Sequence, residues 1–135
     1  MGFIFAHWEL FAALVAVGAL LVLSYQYESL AGFTGSEPTD VVRLVNAGAP
    51  VLDLRERAAF DAGHLPQAVW LDSAGLAAWV KAPKRRHERP VVLVTAPGLA
   101  ALRPARALRQ AGFKSVHVLR GGVKAWSAAQ LPLAR

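Results

Sequence analysis

The chain has 135 residues, a formal net charge of +6 and no cysteine. Without a thiol there is no disulfide, no thiolate metal ligand and no cysteine nucleophile, so every mechanism that needs one is excluded. The length suits one domain of about 100 residues with something small attached.

The apolar content of 55% is concentrated at the N-terminus. Residues 10–27 carry no charge; Trp8 precedes the run, and Tyr25 and Tyr27 close it. At about 1.5 Å per residue, a helix from Trp8 to Tyr27 extends about 28 Å, close to the apolar thickness of a bilayer. Aromatic residues at both ends fit the two interfaces. A cleaved signal peptide would want a basic leader, whereas the first cation of this chain is Arg43. The pattern therefore predicts a transmembrane helix in residues 1–29, spanning about 8–27. Its small residues Ala12, Ala16, Gly18 and Ala19 offer a face for close packing of another membrane helix. Residues 30–38, with two glycines, serine and proline, read as a linker, and residues 39–135 as the folded domain.

From residue 37 onward lie all 15 Lys and Arg and seven of the nine Asp and Glu. This surplus suits an acidic partner such as anionic lipid, nucleic acid or an acidic protein face. A neutral tail followed by a basic domain favours the N-terminus outside and the domain in the cytoplasm.

Within the domain, Val41, Val42, Leu44 and Val45 predict a helix capped by Thr39 or Asp40 and stopped by Gly48. Val51-Leu-Asp-Leu reads as a strand, residues 55–62 as a loop entering one helical turn, and Ala68-Val-Trp-Leu as the next strand. Asp72 or Ser73 can cap a helix through Leu76, Ala77 and Val80. A basic connector, residues 81–89, then leads to the all-apolar, β-branched run Val91-Val-Leu-Val, which reads as a buried parallel strand. Thr95-Ala-Pro-Gly follows, and Leu99, Leu102, Ala105 and Leu108 recur at helical spacing up to Gly112. Such a strand, tight loop and helix bring loop N–H groups and a positive helix end to one small cavity. A last strand at residues 115–119 turns through Gly121-Gly122 into a helix holding Trp126. Strands alternating with helices imply an α/β domain, a small parallel sheet with helices on both faces.

Three stretches resemble the rhodanese (sulfurtransferase-like) family. Val51-Leu-Asp-Leu-Arg-Glu-Arg-Ala-Ala-Phe-Asp-Ala-Gly-His-Leu-Pro-Gln-Ala-Val is similar to the family's first signature. Val116-His-Val-Leu-Arg-Gly-Gly-Val-Lys-Ala-Trp, with Leu131-Pro-Leu, is similar to its closing one, and the central strand, loop and helix match the active-site segment in length. The anchor-plus-domain layout looks most like small single-span members of the bacterial inner membrane. In catalytic members the loop opens with a persulfide-carrying cysteine, followed by an arginine and a serine. Laid on this chain, those positions hold Thr95, Ala100 and Ala101. A threonine hydroxyl needs a strong base beside it to act as a nucleophile, and Thr95, Ala96, Pro97, Gly98, Leu99, Ala100 and Ala101 supply none. Sulfur transfer is excluded, and so are the cysteine-dependent phosphatase and arsenate-reductase versions of the fold. The backbone can still cradle a weak anion, although Pro97 removes one donor.

In the family pattern Asp53 and Arg55 brace the strand end and the loop, and His64 is a packed or capping histidine. With His7, His87 and His117 scattered, neither metal nor cofactor is expected. Lys81, Lys84, Arg85, Arg86 and Arg89 place five cations in nine residues, a patch suited to anionic headgroups near a tether. Nucleic acid is disfavoured, because no recognition motif or interleaved aromatics accompany the charge. The reading is a membrane-tethered, non-catalytic interaction module with an integral membrane protein as partner; insertion or translocation machinery is suggested by location alone. An anion or phospho-ligand sensor is the alternative, and an enzyme using non-sulfur chemistry a second one.

Overall fold

The computed structural model describes residues 2–82 and 88–135. Its elements run α1 (Gly2–Ala6), α2 (Trp8–Ala31), β1 (Thr34–Ser36), α3 (Pro38–Asn46), β2 (Val51–Asp53) and α4 (Arg57–Ala62). They continue through β3 (Val69–Trp70), α5 (Ser73–Lys81), β4 (Val91–Val94), a 3-10 turn (Leu99–Ala101), α6 (Leu102–Gln110), β5 (Val116–Leu119) and α7 (Gly122–Ala128). Among the described residues all strand pairings are parallel, in the order β1-β5-β4-β2-β3, and an isolated antiparallel bridge joins His64 to Ala134.

Side chains alternate across a strand, so a strand covered on both faces must be apolar throughout. In β4, Val91 and Leu93 join a core with Leu76, Ala105, Leu108 and Phe113. Val92 and Val94 enter a second core on the other face, with Val41, Leu65, Leu119 and Trp126. The α/β class with helices on both faces is as expected from the alternation of elements.

α2 contains one helix long and apolar enough to cross a membrane, Trp8–Gln26, with mean hydropathy 1.9 and none of it buried within the chain. Ala12, Ala16, Gly18 and Ala19 are all exposed. The expected small-residue face needs one correction. Ala12, Ala16 and Ala19 share a stripe, whereas Gly18 stands about 100° round the helix from Ala19.

The stretch read as a linker carries structure. α2 continues to Ala31, Thr34–Ser36 forms β1, and Pro38 occupies the first turn of α3. Thr34-Gly-Ser lacks any apolar run; pairing with β5 makes it a strand, in the register Thr34↔His117, Gly35↔Val118 and Ser36↔Leu119. Arg120 N donates to Ser36 O at 2.9 Å, and Ser36 Oγ lies 2.9 Å from His117 Nδ1 in a hydrogen bond. Neither Thr39 nor Asp40 caps α3: the N-cap is Glu37, without a side-chain cap bond, and Asp40 pairs with Arg43 instead. Asp72 does cap α5, accepting from Gly75 N at 2.6 Å.

Burial lowers the pKa of His117 from the usual 6.5, against a weaker opposing pull from the Asp40 charge. The folded domain thus prefers the neutral ring, and the unfolded chain binds more protons as pH falls through 6.5. Stability is full above that value and declines below it. Unfolding followed between about pH 7.5 and pH 5.5 is expected to show Tm falling on the acid side, with a shallower fall in His117→Gln. Equal slopes in the two proteins would contradict this assignment.

Candidate functional site

In a parallel sheet, ligands gather where the strands end and the connections diverge. β4 ends at Val94, beside Asp53 of β2, and Leu54 N donates to Val94 O at 2.9 Å. The chain then enters the 95–101 loop. Gly98 has φ 87° and ψ −138°, a backbone region essentially reserved for glycine. The turn Leu99–Ala101 separates this loop from α6, so the helix starts later than the apolar spacing predicts. Ala101 is buried and anchors the turn in the core, while Leu99 is 69% exposed.

A cavity of about 740 Å³ opens here. One wall is Thr95, Ala96, Pro97, Gly98 and Ala101; the facing wall comes from β1, the β5–α7 turn and the start of α4. Of the expected loop, Leu99 and Ala100 fall outside the lining. Phe33, Gly35, Arg120 and Lys124 belong to the cavity although they were not expected there. Phe33 and Gly35 were hidden in the supposed linker. Arg120-Gly121-Gly122 directly follows β5, and that position at a strand end is the signal by which they were findable. Gly121 has φ 76°, and a Cβ there would sit 2.7 Å from Ala125 Cβ, so the turn needs glycine for shape alone. Gly122 brings the turn against the loop: a Cβ there would lie 3.6 Å from Thr95 O.

The brace under the loop is Asp53. It is fully buried and accepts from Arg55 N at 3.1 Å, Arg55 Nε at 3.0 and 3.1 Å, and Arg55 Nη2 at 2.7 Å. The same Nη2 donates to Gly63 O at 2.8 Å, and Trp70 Nε1 donates to Arg55 O at 2.8 Å. Arg55 lines the cavity, yet its guanidinium is committed to these partners. His64 lies outside the lining; its Nδ1 is 2.9 Å from Phe60 O, its ring stacks on Phe60 at 3.9 Å, and its backbone pairs with Ala134. Arg120 Nη1 donates to Glu37 Oε1 at 3.2 Å.

The chemistry available follows from this inventory. The head of the loop is a hydroxyl, and the lining includes one carboxylate, Glu56, at the exposed N-cap of α4. The walls are mainly apolar; of the charged side chains among the described lining residues, Arg55 pairs with Asp53 and Arg120 with Glu37, and Glu56 and Lys124 complete the set. Lys81 ends α5, and Arg89 Nη1 lies 3.8 Å from the position a Gly48 Cβ would take. Lys84, Arg85 and Arg86 lie outside the described residues.

A family model described as Rhodanese-like domain matches residues 37–129. The "Uncharacterized protein YibN" of Escherichia coli (strain K12) is 37% identical over 98 residues, covering 71% of this chain and 68% of that protein. The "Thiosulfate sulfurtransferase GlpE" of Pseudoalteromonas translucida is 29% identical over 79 residues, 58% of this chain and 73% of that one. Among solved structures, the Alr3790 protein from Anabaena sp. superimposes with a TM-score of 0.60 at 25% identity, covering 73% of this chain and 81% of the other.

Proposed function

The chain belongs to the rhodanese-like family, and from that premise we propose that it is a membrane-tethered, non-catalytic member. In this reading it holds a protein partner at the bacterial inner membrane, with the domain on the cytoplasmic side. One observation carries the reading: the loop keeps its strand, its glycine turn and its buried brace, but a chain without cysteine puts Thr95 at its head. A persulfide needs sulfur, and nothing in the lining substitutes for it. α2 supplies the tether, and its stripe of Ala12, Ala16 and Ala19 a face that a partner's membrane helix can approach closely. The cavity, largely apolar, supplies a second recognition surface for the partner.

The relative GlpE is named for thiosulfate sulfurtransfer, which sets the assay. The purified full-length protein, given thiosulfate and cyanide, is expected to form thiocyanate no faster than buffer does. Turnover above that background, removed by Thr95→Ala, would overturn the non-catalytic reading.

A further inference from the structure

We propose that the groove between the end of α2 and the strand-entry edge of the sheet binds the phosphate of an anionic lipid. The inference rests on the tethered reading above and concerns a second groove, which among the described residues shares only Phe33 with the lining of the 740 Å³ cavity.

Because all five strands are parallel, every segment entering a strand lies at one edge of the sheet. Residues 32–33 enter β1 there, residues 112–115 enter β5 and residues 88–90 enter β4. The membrane helix therefore arrives at the edge opposite the loop of Thr95. Between its end and the sheet lies a groove of about 240 Å³, lined in part by Gly32, Thr34, Arg109, Lys114 and Ser115. At about 30 Å³ per water, that is room for a hydrated phosphate.

The lining brings two exposed cations together from different elements: Arg109 in the last turn of α6, and Lys114 in the α6–β5 connection. Arg109 is held in place. Its Nη1 donates to Phe113 O at 3.5 Å and to Lys114 O, and a Cβ on Gly32 would stand 3.1 Å from its Cγ. Glycine at 32, with φ 83°, thus lets the chain leave α2 directly against the arginine stem. Nε and Nη2 carry the remaining donors of a planar fork that matches phosphate oxygens, and Lys114 adds a point charge. The height also fits. Gly32 follows Gln26, the end of the apolar span, by six residues. Six residues are about 9 Å of helix, and a headgroup layer is about 5–8 Å thick. The groove therefore opens at the outer boundary of the headgroup layer, and the long side chains of Arg109 and Lys114 can reach back to the phosphates beneath it.

The test uses the full chain in nanodiscs of phosphatidylcholine, alone or with increasing phosphatidylglycerol, read by hydrogen exchange of the 113–116 amides. Exchange is expected to slow as the anionic fraction rises. Lys114→Gln, an exposed change that spares the carbonyl bonds of Arg109, is expected to raise the half-maximal anionic fraction about fivefold. Arg109→Gln should do so at least as strongly. Equal exchange in neutral and anionic discs, or no effect of Lys114→Gln, would overturn the inference and leave the tether standing. Equal protection in neutral discs on adding inorganic phosphate would overturn the lipid as occupant. A chain that fails to enter the discs at all would overturn the tether, and the headgroup site with it.

Discussion

Asp53→Ala is expected to destabilise the domain by about 3 kcal/mol, which for its size lowers Tm by roughly 15 °C. The carboxylate is fully buried, and the Arg55 side chain is only 13% exposed. Removing the carboxylate leaves a nearly buried guanidinium without its counter-charge, which is worse than never having buried the pair. Arg55→Ala should cost a similar amount, by stranding the carboxylate instead. The double variant should cost clearly less than the sum, because each single change already destroys the same interaction. Asp53→Asn should fall between, since the amide still accepts from Arg55 N but cannot neutralise the charge. The damage reaches the loop directly, because Asp53 sits in register with Val94 and Thr95 follows it. Urea unfolding of the four variants beside the unsubstituted protein, in one detergent, decides the matter. A loss under about 1 kcal/mol in Asp53→Ala would show that the pair does not brace the sheet end.

The second large effect concerns β1. A chain trimmed to residues 37–135 starts where the family match starts, yet it lacks Thr34–Ser36. It loses the ladder to β5, the bond from Arg120 N to Ser36 O and the contact of Ser36 with His117. At about 1 kcal/mol for each net hydrogen bond, the three-residue strand contributes roughly 3 kcal/mol. Its removal also bares the edge of β5, a template for intermolecular pairing. The trimmed domain is expected to unfold at lower urea and to self-associate, whereas a chain of residues 32–135 stays monomeric and more stable. Identical unfolding and sedimentation of the two would remove β1 from the functional fold.

How legible these features are in the sequence varies with their physics. β4 is plain, because burial on both faces demands an uninterrupted apolar run, and Val91-Val-Leu-Val provides it. β1 is opaque, because Thr34-Gly-Ser has no pattern of its own and becomes a strand only through β5. Asp53 and Arg55 are recognisable as a pair from two positions in one motif. The third partner, Gly63 O, is set by the path of α4, which local sequence does not encode. The loop is legible in its residues but not in its aim: the 3-10 turn carries Ala100 away from the cavity and brings Ala101 in. Arg120 and Lys124 enter the site through strand order, which places the β5–α7 turn opposite the loop. At about 100° per residue Gly18 stands off the stripe of Ala12, Ala16 and Ala19, a point that helical geometry alone decides.

The most direct test of the tethered, non-catalytic account is capture of partners from detergent-solubilised membranes, with the full-length protein run beside a variant lacking residues 1–30. That variant keeps β1, so loss of binding cannot be assigned to a broken sheet. The account predicts a discrete integral membrane protein held by the full chain and lost or sharply reduced with the helix. No specific partner for either form, together with thiosulfate turnover by the intact protein, would contradict it.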